Sequence, residues 1–108
     1  MTLPPRVDLL GVPLSATSYA EVLDLLDVPP VGDRARTLAF CNVHSVMTAR
    51  KDPELRRALA DIDVTTTDGM PLVWALRRLG VPDQQRVYGP DLMEMALPHS
   101  VERGWRHY

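Results

Sequence analysis

The sequence predicts an α/β fold: a mostly parallel sheet with flanking helices, Rossmann-like in layout. Three observations predict it. Short β-branched or apolar runs alternate with helical patterns; the helices carry their own start and stop signals; and polar residues gather where a strand hands over to a helix. The clearest handover spans residues 63–71, Asp-Val-Thr-Thr-Thr-Asp-Gly-Met-Pro. There Gly69 permits a turn that a Cβ would obstruct, Pro71 suits a first helical turn, and Asp68 is left beside the crevice where open α/β sheets collect ligands.

The elements follow in order. Residues 7–14 hold two short apolar pieces split by Gly11, a strand and its return, and Pro13 confines the return to a sheet edge. Ser18 and Glu21 have capping-box spacing, and Val22, Leu23, Leu25 and Leu26 carry the helix on until Pro29, Pro30 and Gly32 break it. Residues 36–41 are short and apolar enough for a buried strand, which leaves Asn42 at its carboxyl end. Residues 44–50 look helical. Asp52 and Pro53 then restart a helix as N-cap and first position; Leu55, Leu59 and Ile62 face the sheet, and Glu54, Arg56 and Arg57 face water.

After the strand 63–67, Leu72, Val73, Leu76 and Leu79 mark a helix closed by Gly80. Met70 and Trp74, four apart, are expected in the core. Residues 81–85 read as a polar loop, and Asp91 as the cap of a helix over 92–97. Residues 104–108 look like the opening of another strand, so the sheet is expected to be incomplete at the C-terminus.

Composition narrows the function classes. The 108 residues suffice for one domain at most, and 45% apolar with 24% charged residues is ordinary for a globular protein. No apolar run approaches the roughly 18 residues that span a bilayer. Net charge of −2 and scattered arginines disfavour nucleic acid as a partner. The N-terminus lacks the pattern of a signal peptide, and the single Cys41 cannot form an internal disulfide. A cytoplasmic location is therefore expected.

Several constellations can be set aside. Asp61, Asp63 and Thr65 match the spacing of haloacid-dehalogenase-type phosphatases, but that motif closes a strand and here residues 55–60 are helical. Cys41 and His44 stand three apart without the further ligand pair that zinc requires, so no metal is expected. His44 and Ser45 are adjacent on a helix and do not face each other. What remains is Asn42, His44, Asp68, Gly69, Arg86 and Asp91 at strand ends and helix starts. These suit transfer at a diphosphate-linked sugar: a carboxylate takes a proton, an arginine steadies phosphate charge, and an amide positions a hydroxyl. They also suit a simple binding crevice.

The ordered series Asn42-Val-His-Ser-Val, Asp52-Pro-Glu-Leu, Asp68-Gly-Met-Pro-Leu-Val-Trp-Ala, Leu79-Gly and Arg86-Val-Tyr-Gly-Pro-Asp-Leu-Met resembles the WecG/TagA/CpsF glycosyltransferases of bacterial cell-surface polysaccharide or teichoic acid synthesis. The resemblance implies an inverting transfer, without cofactor or metal, of an N-acetylhexosamine. The donor is typically UDP-N-acetylmannosamine, and the acceptor is an undecaprenyl-diphosphate-linked N-acetylglucosamine at the inner face of the cell membrane. It matches Asp68 to the family's proposed base, Asn42 to the pocket amide and Arg86 to the arginine of the last motif. Phe40 departs from the Thr that many members carry, and Val43 stands where Pro is common; His44 could supply the missing polar group.

The resemblance runs from Val7 to Tyr108, the N-terminal half of a family member. Residues 1–108 are thus expected to be the N-terminal part of a single domain, weakly active or inactive alone, with an uncovered edge that favours homo-oligomers. The alternative is a non-catalytic module that binds a nucleotide sugar.

Overall fold

Leu10 and Gly11, both with positive φ (52° and 88°), form the two-residue turn that folds β1 (Arg6–Leu9) onto β2 (Val12–Ser15). A Cβ on Gly11 would also lie 3.1 Å from Arg56 Cδ, so glycine is required there twice over. The strands pair antiparallel, Arg6 opposite Ser15 and Leu9 opposite Val12. This is a computed structural model that describes residues 2–30 and 32–108.

The other ladder is parallel. β3 (Leu38–Cys41) pairs with β4 (Val64–Thr67), Leu38 opposite Val64 and Cys41 opposite Thr67, across a connection made of α2 (Val43–Lys51) and α3 (Pro53–Asp61). Side chains join the two ladders: Thr65 N–H donates to Ser15 Oγ at 2.9 Å, and Gln84 Nε2 donates to both Thr17 O and Thr67 Oγ1 at 3.1 Å. β2 thus runs beside β4 in the same direction. The predicted mostly parallel sheet is realised as one parallel pair and one hairpin, laid edge to edge. β2 has β1 as its ladder partner, in keeping with Pro13, yet it is covered, with Val12 and Leu14 fully buried.

Helices cover both faces. Val46, Ala49, Leu59, Leu72 and Leu76, from α2, α3 and α4 (Met70–Arg78), pack with Val12, Leu14 and Cys41. Val22 and Leu25 of α1 (Tyr19–Leu26) and Leu92 of α5 (Gly89–Arg103) pack with Val64 in a second cluster. This is the layered order expected of a Rossmann-like fold.

Local signals account for most helix ends. Ser18 Oγ accepts from Glu21 N–H at 3.2 Å, whereas the Glu21 carboxylate takes the Thr17 hydroxyl instead of returning to Ser18. Asp52 Oδ1 caps α3 by accepting from Glu54 and Leu55 N–H. Gly80, at φ 111°, closes α4 while Val81 N–H reaches back to Leu76 O at 3.0 Å. Arginines finish other carbonyls: Arg6 on Ala60 and Ile62, Arg34 on Asp61, and Arg36 on Leu25 and Val28.

Four expectations are overturned. Trp74 is 56% exposed and Leu79 52%, because the buried stripe of α4 is only as wide as Leu72, Val73 and Leu76. Gln84, expected in a solvated loop, is 3% exposed and bonds both ladders. α5 starts at Gly89, with Pro90 in its first turn, so Asp91 lies inside the helix and caps nothing; the helix also runs past Leu97 through Pro98 to Arg103. Residues 104–108 form no strand. Gly104 adopts φ 68°, Trp105 N–H returns to Ser100 O at 3.0 Å, and His107 Nε2 meets Ser100 Oγ at 2.7 Å, so the segment folds back on its own helix.

At the amino ends of β3 and β4, Asp63 Oδ2 accepts from Thr37 N–H at 2.9 Å and Arg34 stands 3.5 Å from Oδ1. The Thr37 amide, with Arg34 and Arg36 behind it, holds the Asp63 carboxyl below its ordinary value. The group is a structural clasp, with Asp61 at the end of α3, and neither forms a nucleophilic pair. A depressed folded pKa stabilises above the unfolded value and the benefit is lost as pH falls through the folded one. Asp63→Asn should therefore cost about 1–2 kcal/mol at neutral pH. In urea titrations the gap to the parent should shrink steadily below about pH 4.

Candidate active site

Because β3 and β4 are parallel, their carboxyl ends open on one edge, and the last ladder pair, Cys41 and Thr67, is followed by Asn42 and Asp68. Asp68 N–H donates to Cys41 O at 2.9 Å, which keeps the two exits side by side. A Cβ built on Gly69 would sit 3.6 Å from Asn42 Cβ, an ordinary contact, and φ is −99°, so the turn after β4 lies against the start of α2 and, contrary to expectation, would not be obstructed by a Cβ. Asn42 is itself the cap of α2: its Oδ1 accepts from Ser45 N–H at 2.9 Å and Ser45 Oγ at 3.1 Å. The amide NH2 donates to no described residue, and Asn42 is exposed.

Asp68 is tied to a third element. Its Oδ2 accepts from Gly89 N–H at 3.2 Å, the first residue of α5, and Oδ1 lies 3.8 Å from the Arg86 guanidinium. Arg86 Nε also donates to the Asp68 carbonyl, and the guanidinium stacks 4.2 Å over the ring of Tyr88. Tyr88 N–H in turn donates to the Tyr19 hydroxyl at 2.9 Å, anchoring the segment to α1. The N-termini of α2, α4 and α5 thus begin at Asn42, Gly69 and Tyr88, and their unpaired N–H groups add positive potential around the carboxylate.

Phe40 belongs to this edge too. A Cβ on Gly89 would lie 3.4 Å from Phe40 Cγ, so the ring supports the start of α5 at the point where Asp68 is bonded. Cys41 beneath is buried, and that burial pushes its thiol above its ordinary value, with the Asp68 carboxylate acting the same way and the Ser45 hydroxyl opposing. It is a neutral packing group. His44 and Asp91 lie in the first turns of α2 and α5, both exposed, and neither bonds to Asp68 or Arg86.

The structure therefore brings together Asn42, Asp68, Gly69 and Arg86, and leaves His44 and Asp91 on the rim. Sequence reasoning noted Phe40 only as a departure from a family motif, and it missed the contacts that Tyr88 makes at this edge and Gln84 makes beneath β4. Tyr88 stands two residues after Arg86, a spacing that in extended chain places both on one side; for Gln84 no comparable signal exists. Among the described residues, no three His, Cys, Asp or Glu side chains converge as a metal set would. No described helix is long and apolar enough to cross a membrane.

Two hollows of about 270 Å³ each lie near α1, one against Leu3 and Pro5 and the other against Thr17 and Gln84, and Asp68 lines neither. Asp68 and Arg86, with side chains 20% and 45% exposed, form a partly open shelf at this edge. The carboxylate and the guanidinium stand at the carboxyl ends of β3 and β4, beside the exit that carries Asn42, and strand ends are the usual ligand position of such sheets. A family model described as the glycosyl transferase WecG/TagA/CpsF family matches residues 7–108.

The Arg86 geometry requires a planar, forked side chain. Arg86→Ala should cost about 1 kcal/mol in urea titrations, and Arg86→Lys should recover little of it, since an ammonium can neither stack on Tyr88 nor reach the Asp68 carbonyl from Nε. Full recovery in the lysine variant would show that charge alone matters.

Proposed function

Because the chain belongs to the glycosyl transferase WecG/TagA/CpsF family, whose members act in cell-surface polysaccharide synthesis, we propose that its Asp68 shelf serves a sugar transfer with single inversion. The donor is a UDP-linked N-acetylhexosamine, N-acetylmannosamine by family resemblance. The acceptor is an N-acetylglucosamine on undecaprenyl diphosphate, met at the inner face of the membrane by a protein that stays peripheral. The observation that carries the reading is the Asp68 carboxylate. One of its oxygens is held by Gly89 N–H, and the other stands beside Arg86 at 3.8 Å.

In this scheme Oδ1, which accepts no hydrogen bond, takes the proton of the acceptor hydroxyl as that oxygen attacks the anomeric carbon. The new C–O bond forms opposite the bond to UDP, whose electron pair leaves with the diphosphate. Arg86 and the helix N-termini steady that charge. The free NH2 of Asn42 positions a substrate hydroxyl, Gly69 lets the substrate approach the backbone, and His44 and Asp91 offer outer contacts. No cofactor enters the scheme.

Phe40 favours a second reading. By the family resemblance its ring stands where a polar side chain is usual, which suits a module that holds a nucleotide sugar without turning it over.

Transfer from UDP-N-acetylmannosamine to a short-chain lipid-diphosphate N-acetylglucosamine tests both. Asp68→Asn should lower kcat by about 10²–10⁴-fold with folding intact. Donor binding without turnover in the parent, while another family member cut to the matching residues keeps its turnover, would instead select the second reading. Asn42 separates cap from contact: Asn42→Ser keeps a capping oxygen and should leave stability within about 0.5 kcal/mol, while Asn42→Ala should lose about 1 kcal/mol. Both should slow transfer, and unimpaired transfer in the serine variant would remove Asn42 from the site.

A further inference from the structure

We propose that the hollow beside Thr17 and Gln84 is a subsite for an uncharged, hydroxyl-bearing sugar ring, set next to the shelf that handles the phosphates; this rests on the transferase reading above. Its position comes from the fold. The hollow opens where β2 ends and α1 begins, and it is lined by Thr17, Ser18, Glu21, Asp83, Gln84 and Gln85. Gln84 Nε2 bonds Thr67 Oγ1 at 3.1 Å, and Asp68 is the next residue along the chain. Through Thr67 the hollow is tied to the end of the strand that leads into Asp68.

Gln84 is the feature that points to a ligand. It is 3% exposed, and its amide nitrogen is fixed by Thr17 O, Gln85 O and Thr67 Oγ1, two of them carbonyls that admit only a donor. The orientation of the amide is thereby set, and Oε1 accepts from no described residue. Among the described residues every fully buried side-chain N or O has a partner, so Oε1 is reached from the space Gln84 lines. An amide held rigidly with its acceptor open to the hollow is met by water when the site is empty, and it offers an arriving donor a fixed partner.

The hollow's chemistry selects the donor. Glu21 and Asp83 line it and no lysine or arginine does, so a phosphate is disfavoured and groups that donate hydrogen bonds are favoured. Arg77, whose Nε donates to Gln84 O at 2.9 Å, is not among the lining residues. Sugar hydroxyls and an N-acetyl N–H are such donors. The volume, about 270 Å³, is below the roughly 300 Å³ where small-molecule pockets usually begin, which suits one ring and not a whole nucleotide sugar. Charge thus sorts the substrate: diphosphate toward Arg86, sugar ring toward Gln84.

The test reads binding separately from turnover. In amide NMR spectra of the protein, free N-acetylmannosamine and N-acetylglucosamine at millimolar concentration should shift residues 16–18 and 83–85. Inorganic diphosphate should instead shift residues 86–89. The stronger of the two sugars identifies donor or acceptor as the occupant. Asp83→Ala, at an exposed position, should fold as the parent does and weaken the sugar shifts about tenfold. In the transfer assay Asp83→Ala should raise KM for the same sugar substrate with kcat little changed, the reverse of Asp68→Asn. Sugar shifts confined to other residues, or diphosphate shifting the hollow, overturn the proposal even if transfer is robust. Sugar shifts at the hollow in a protein that transfers nothing uphold it as a sugar site, and under the same truncated control they remove the transferase reading instead.

Discussion

Everything at the carboxyl edge hangs from β4, a strand of four buried residues, three of them threonines. A strand this polar can sit in the interior only if its hydroxyls and amides are met. Thr66 Oγ1 donates to Val87 O, Thr67 Oγ1 to Gln85 O, and Thr65 N–H to Ser15 Oγ. Those bonds fix the hairpin on one side and the segment from Gln84 to Val87 on the other. Valines in place of the threonines would fill the same space and keep the Thr65 amide on Ser15, but they would release the segment from Gln84 to Val87.

That constraint is also what gives Asp68 its surroundings. Once Val87 is held against Thr67, with Val87 N–H on Thr67 O at 2.9 Å, the next residues must turn outward over the strand end. Arg86 then meets Asp68, and Gly89 presents its amide to the carboxylate as α5 begins. A carboxylate held by one amide and one distant guanidinium is oriented on one oxygen and available on the other.

The sequence disclosed what local chemistry decides. Ser18, Asp52 and Gly80 end or begin helices through groups within a few residues, and Asn42 and Asp68 could be placed at strand ends because the strands beside them are short and apolar or β-branched. Tertiary packing decided the rest. Trp74 has helical spacing to a Met, but only the sheet's width determines which side of α4 is covered. Gln84 reads as solvent-facing until its partners Thr17 and Thr67, 67 and 17 residues away, are known. Asp91 had the chemistry of a cap, yet the amide at the start of α5 is met by Asp68 from another element. Residues 104–108 look like a strand from composition alone, and with no partner strand beside them they close a helix instead.

The arginines carry a last consequence. With Lys51 the only lysine, their abundance looks like a neutral preference for one cation over another. In the fold, Arg6, Arg34, Arg36 and Arg77 reach main-chain oxygens left over where helices end or loops cross, and Arg6 and Arg36 each satisfy two. A forked, planar group can bridge two such acceptors from one anchor, and an ammonium holds them less rigidly. Exchange between the two cations is therefore a change to how the backbone is finished, and a lineage drifting toward lysine would loosen its loops before its net charge altered at all.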